Sequence, residues 1–269
     1  MYKRGVFDEQ VLTLVKEIRM KQPRIGVRKL MKLLSNNIGE QMIGRDAVFD
    51  LLREHDLLVR KRKTRVVTTQ SHHWLRKYPN LIAGFTPNAP HQLWVSDITY
   101  IRTAERFIYL FLITDAYSRK IVGWHLSETM EAGNALKALY MAVSQLPVNT
   151  KRLIHHSDRG LQYCSSKYVS YLQKNEIRIS MTENGDPYEN SIAERINGIL
   201  KTEWLYDIPL KNTAHAQKVI GSVIDIYNCE RPHLSIEMLS PNQAHTTKGT
   251  LKRLWKSYKR WEKYEMNYL

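Results

Sequence analysis

Val11, Leu14, Val15 and Ile18 recur at i, i+3, i+4 and i+7, the spacing of one helix face, and Asp8 stands where a cap for that helix would be. The pattern stops at Gln22-Pro23, as helices do ahead of a proline. A second helix is predicted from Gly26, with Val27, Leu30, Met31 and Leu34 turned inward and Arg28, Lys29 and Lys32 outward. Asn36-Asn37-Ile38-Gly39 reads as a turn, and a third helix from Arg45 to Asp56 buries Val48, Leu51 and Leu52. Short helices joined by tight glycine-containing turns suit a helix-turn-helix, a pattern shared with small bundles that never touch DNA.

From Leu93 the period changes. LWVSDITYI, RFIYLFLITDAYS and KIVGWHLSE are β-rich runs separated by short polar gaps, which predicts an antiparallel meander. A helix is expected from Thr129 to Leu146, then a strand in KRLIHHSD, a helix in SSKYVSYLQKNE, a strand in IRISMT and a helix in ENSIAERINGILKTEW. Together these elements make an α/β domain, a mixed five-stranded sheet with helices on its faces, preceded by a small all-α unit.

Composition adds a partner class. The chain has 269 residues, 43% hydrophobic and 25% charged, which is enough apolar material for a folded core and excludes wholesale disorder. Its formal net charge of +15 divides into +10 over residues 1–80, zero over 81–247 and +5 over 248–269. Basic ends around a neutral centre fit a polyanion gripped at the termini; the alternative is a solvated basic surface. Arg60, Lys61, Arg62, Lys63 and Arg65 form a cluster beside the helical unit, where cations would meet phosphates. The expected division is a helix-turn-helix-like region at 1–62, a basic linker at 63–91, a catalytic core at 92–247 and a basic tail at 248–269. That tail mixes cations with Trp255, Tyr258 and Trp261, a composition for DNA contact or for docking on a partner subunit. No run of eighteen apolar residues and no signal-peptide start is present, so a cytoplasmic protein is expected. Cys164 and Cys229 supply neither a disulfide framework nor a paired-cysteine metal site.

Three acids interrupt otherwise apolar surroundings. Asp97 breaks the strand LWVSDITYI, Asp158 ends RLIHHSD, and Glu194 lies in a helix whose apolar face is Ile192, Ile196, Ile199 and Leu200. A carboxylate is costly to bury unless paired, hydrogen-bonded or bound to a metal. Brought to one sheet edge, three of them would supply hard oxygen ligands for Mg²⁺ or Mn²⁺. His155 and His156 invite a zinc reading, but they sit in a strand with alternating faces and have no cysteine pair to join them.

WVSDITY, HHSDRGLQY and an acid with 35 residues between it and Asp158 resemble the DDE pattern of retroviral-type integrases and insertion-sequence transposases. GDPYENSIAERINGILKTE, YNCERPHLSIEMLSP and the N-terminal IGVRKLMKLL narrow the resemblance to the OrfB type of transposase of the IS3 family, over roughly residues 20 to 245. The resemblance implies a ribonuclease H-like core in which Asp97, Asp158 and Glu194 hold two metal ions for cleavage at the element's ends and strand transfer of the 3′-hydroxyl into target DNA. It also implies terminal inverted repeats and target DNA as partners, a homo-oligomer on DNA that is associated with the nucleoid, and an upstream-encoded OrfA-type partner or fusion. The family's basic position falls on Lys201, seven residues beyond Glu194 and on the same helix face. Asn190, one turn before Glu194, stands to orient the carboxylate, meet DNA or cap the helix. Gly160 and Gln162 would shape the turn after Asp158, and Gly160 would be backbone punctuation. In the tail motif Asn228, Arg231, Pro232 and His233, the proline stops the preceding helix, and Arg231 either contacts DNA or braces the core. A nuclease of the same fold that cuts without joining, and a DNA-binding regulator without catalysis, are the rival readings; the three retained acids argue against the regulator.

Overall fold

In the computed structural model, which describes residues 2–38, 44–59, 75–148, 150–183 and 190–254, the three β-rich runs form the predicted meander. These strands are β1 (Leu93–Arg102), β2 (Phe107–Asp115) and β3 (Ile121–Ser127), antiparallel to one another. β4 (Ile154–Ser157) adds to β1 and β5 (Arg178–Met181) to β4, both parallel, giving the order β3-β2-β1-β4-β5. The apolar alternation along β2 serves two cores at once. Phe111 and Ile113 face α4 (Ala132–Val143), α5 (Leu161–Cys164) and α6 (Ser166–Lys174). Ile108, Leu110 and Leu112 face α7 (Ser191–Leu200) and α8 (Thr213–Glu230). Both faces are covered, so the strand reads as nearly continuous apolar sequence.

The expected helix over 129–146 is shorter at both ends. α4 starts after Glu131, and the Asn134 amide folds back onto Thr129, giving it to the preceding turn. α4 lies so close to β3 that a Cβ built on Gly123 would sit 2.3 Å from the Ala138 carbonyl oxygen. Gly123→Ala is therefore expected to push helix and sheet apart and cost about 1–3 kcal/mol, read as a lower denaturation midpoint.

The N-terminal unit has its own core of Val11, Val15, Ile25, Leu30, Leu34, Val48 and Leu52. Its helices are α1 (Tyr2–Lys21), α2 (Val27–Ile38) and α3 (Arg45–Glu54). Asp8 lies inside α1, so the cap reading is wrong: the helix starts well before it. Asn36, Asn37 and Ile38 belong to α2 instead of a turn, with the Asn37 side chain donating back to the Leu33 carbonyl. α3 ends at Glu54, and Asp56 takes a left-handed conformation with φ 51°.

Two further expectations change because this unit docks on the core. After α7 the chain makes a π-helical turn, Lys201–Leu205, and the Glu203 on it is only 14% exposed. Arg231 grips Glu203 through Nε and Nη2, both at 2.7 Å, while Lys29 Nζ reaches it from α2 at 2.8 Å. Lys29 thus faces the core, not solvent. Arg231 is 2% exposed and donates its Nη1 to His233 Nε2, so it braces the core. Trp204 Nε1 donates to the Lys21 carbonyl, and Lys21 pairs with Glu230.

The described part of the expected linker is a strap along the sheet. Leu75 and Tyr78 pack on the first core. Met181 N–H donates to the Pro79 carbonyl, Leu81 N–H to Ser180 Oγ, and Asn80 N–H to Glu183 Oε1. Arg60, Lys61, Arg62, Lys63 and Arg65, and the tail from residue 255 with its three aromatic residues, lie outside the described residues. Among the described residues no helix is long and apolar enough to cross a membrane.

Candidate active site

β1 places Leu93, Val95 and Asp97 on one face by simple alternation, the face that α7 covers. Asp97 is half-buried there. Its Oδ1 accepts from the Ile98 backbone and its Oδ2 accepts from Asn197 Nδ2 at 2.7 Å. Asp158 follows directly on β4, next to β1 in the sheet, and its Oδ1 accepts from the Gly160 N–H at 3.0 Å. Gly160 is more than punctuation: a Cβ there would come within 3.0 Å of that same carboxylate oxygen. Gln162 ties the turn to Met130 by donating to its carbonyl. Glu194 is exposed on the first turn of α7.

The three acids feel one another. Burial and the negative charge of Asp158 push the Asp97 carboxyl up to about 7, with a smaller contribution from Glu194. Burial and Asp158 also raise Glu194. Oxygen donors that repel one another across a shared space are the donor set a hard divalent cation neutralises, so the residues fit such an ion. Among the described residues no three acid, histidine or cysteine side chains already converge on one point, and Glu194 is the exposed member of the trio.

Lys201 caps α7 at its C-terminal end, with its ammonium 4.3 Å from the centre of the Tyr100 ring. Burial lowers its pKa and the negative charge of Asp97 pulls it partly back up. Asn190 stands at the start of α7 but makes no side-chain cap to it. It is 6% exposed, and its amide donates to the Ser96 carbonyl, pinning the strand residue next to Asp97 to the start of the helix. His155 shares its Nε2 with Ser96 Oγ and Tyr168 OH, and burial holds its pKa down to about 3. His156 bonds Ser180 Oγ through Nδ1. Asn228 holds both backbone groups of Ile121, and α8 ends at Glu230 just ahead of the Arg231-Pro232 pair.

Asn197 and Tyr100 escaped the sequence reading. The signal for Asn197 was available: it is the one amide in the apolar stripe Ile196, Ile199 and Leu200, seven residues after Asn190 and so on its face. Tyr100 carried none, because an aromatic residue in a strand is ordinary.

Residues 87–187 match a family model described as integrase core domain, and residues 175–241 match a second of the same description. The chain is 38% identical over 219 residues to the insertion element IS600 uncharacterized 31 kDa protein of Shigella sonnei, covering 80% of this chain and 79% of that protein. It is 34% identical over 208 residues to the transposase for insertion sequence element IS629 of the same organism, covering 77% and 68%. Among solved structures, the simian T-cell lymphotropic virus intasome in complex with the PP2A regulatory subunit B56 gamma aligns with a TM-score of 0.51 at 18% identity, over 91% of this chain and 80% of that chain. That likeness concerns the fold.

Proposed function

Because the chain belongs to the DDE transposases of the IS3 family, which are polynucleotidyl transferases acting on DNA, we propose that Asp97, Asp158 and Glu194 hold the divalent cations with which it cuts and joins DNA strands. The carrying observation is that three acids from three elements meet on one face, Asp97 on β1, Asp158 directly after the neighbouring β4 and Glu194 on α7 above them, near enough that the charge of Asp158 raises the other two carboxyls. Mg²⁺, or Mn²⁺ in its place, would polarise the attacking water or 3′-hydroxyl and stabilise the leaving oxygen, two ions sharing the task.

The chain's own residues set the geometry. Asn197 fixes the rotamer of Asp97, the Gly160 N–H fixes that of Asp158, and Asn190 locks β1 to α7 so that Asp97 and Glu194 keep their spacing. Lys201, steered by the face of Tyr100, is placed to take the phosphate of the strand end. The substrates are the element's terminal inverted repeats and target DNA. Arg60, Lys61, Arg62, Lys63 and Arg65, together with the N-terminal helices, carry the duplex. Copies assemble on the DNA, with an OrfA-type partner or fusion completing the active protein, in the cytoplasm at the nucleoid.

The test supplies a 3′-hydroxyl-ended duplex of the repeats that flank the coding frame, a plasmid target and Mg²⁺. Joined product is the expected outcome; cutting without joining favours the nuclease reading, and neither product in any divalent metal refutes both. Asn197→Ala removes a charge-assisted hydrogen bond worth about 1.5–3 kcal/mol. If Asn197 positions Asp97, joining slows by roughly 10- to 100-fold. Duplex affinity, measured by gel shift, is unchanged.

A further inference from the structure

Beside the carboxylates lies a cavity of about 400 Å³, within the range of small-ligand sites. Its floor is Leu93 and Val95, the two positions that precede Asp97 on the same face of β1, and one wall is the start of α7, the turn that carries Glu194. Ile82 and Phe85 of the strap supply an apolar wall, and Phe85 is 40% exposed. The rim is cationic. Arg119 lines the cavity with Nη1 buried and unpartnered, and the exposed Arg253 lines it from the tail. Asn190 contributes a buried Oδ1 that accepts no hydrogen bond among the described residues, and its side chain does not cap α7, whose first turn carries the partial positive charge of a helix start. Burying an unpaired donor and an unpaired acceptor costs stability unless a ligand meets both.

An apolar slot would suit a hydrocarbon, and a cationic rim alone would suit a bare anion. Apolar walls that include the Phe85 ring, two lining arginines and one buried acceptor suit a nucleotide: the base stacks, its amino or imino hydrogen meets the acceptor, and its phosphate meets the cations. We propose that this cavity receives one nucleotide extruded from the duplex beside the scissile phosphate, its base against Ile82 and Phe85 and its phosphate against Arg119, Arg253 and the N-terminus of α7. The assignment rests on the DNA reading of the carboxylate site, and it deepens that reading by giving the enzyme a second point of register on its substrate. Unstacking is least costly at the end of a duplex or at a nick, where this strand would lie.

The experiment uses the full chain and repeat-end duplexes carrying a single photoreactive thiothymidine at successive positions flanking the cleavage point. Crosslinks are assigned to residues by peptide fragmentation, and cleavage is followed in parallel. One position is expected to crosslink to Ile82, Phe85 or Tyr117. Ile82→Trp, which fills the slot, should cut that yield by about tenfold, the scale of one lost base stack. Arg253→Gln changes an exposed side chain, so the fold stands, and should cut it by roughly threefold, the worth of a solvated charge contact. Cleavage with no crosslink to the cavity from any position overturns the nucleotide slot and leaves the carboxylate site standing, as does an undiminished yield in both variants. Absence of cleavage and joining in every divalent metal overturns the reading of the site, and this assignment with it.

Discussion

Asp158→Asn is expected to abolish cutting and joining of repeat-end DNA in Mg²⁺, by at least about a thousandfold, while binding to the same duplex stays within roughly twofold. The substitution is nearly isosteric. Asparagine keeps the Oδ1 that accepts from Gly160, so the turn after β4 holds and the loss is confined to one negative charge. That charge also does most, after burial, to raise the neighbouring Asp97 and Glu194 carboxyls, which marks it as the centre of the repulsion a cation would relieve. A metal-held transition state depends on several kcal/mol of charge stabilisation, and each 1.36 kcal/mol is about tenfold in rate. Wild-type joining by the variant in a time-course assay would remove Asp158 from the chemistry. Lost joining together with lost duplex binding would point instead to a damaged fold.

The second large effect is on stability and lies away from the acids. Glu203→Gln is expected to cost about 3–5 kcal/mol in denaturant unfolding, because it leaves the Arg231 guanidinium buried without a counter-charge. Burial alone would raise the Glu203 carboxyl, but Arg231 beside it and the bonds from Arg231 and Lys29 hold it at about 2, against an ordinary 4.5. A carboxyl held down on folding contributes stability that is complete above about pH 4.5 and drains away as the pH falls towards 2. The variant should therefore lose most at neutral pH and converge on the wild type in acid. Lys29 behaves differently: burial and the nearby Arg231 bring its ammonium down to about 8, so its charge is tolerated more than needed. Lys29→Met is accordingly expected to change stability by less than about 1 kcal/mol. Equal losses in the two variants would show that the lysine, not the arginine, is the carboxylate's main partner.

These residues show where local pattern reaches its limit. The meander, the two parallel strands and α7 were legible because each keeps one period over its whole length, and the acids were legible because each breaks such a run. Lys29, Glu203 and Arg231 look like surface residues in their own segments. Lys29 and Glu203 are 174 positions apart, and no window along the chain sees both. The outward placement of Lys29 on α2 failed for this reason, while Arg28 and Lys32 are exposed as expected, and the bracing role of Arg231 could not be told from DNA contact. The burial of Asn190 and the bond from Asn197 to Asp97 failed to show for a related one: amides fit surface, cap and core equally well, and only the opposing strand decides. Asp8 failed as a cap because helix entry was placed at the first periodic residue, while α1 begins several residues earlier.

The strap along the sheet bears on the order in which the molecule is made. Its hydrogen bonds join Asn80 to Glu183 and Leu81 to Ser180, partners 103 and 99 positions later in the chain. A growing chain exposes the strap long before β5 exists to receive it, and loop closure over such a span comes late. The helical unit ahead of it closes on local contacts and can form while the rest is still being synthesised. Nascent chains that stop short of residue 180 therefore carry an apolar strap with no β5 to dock on, and limited proteolysis of such chains is expected to cut within the strap.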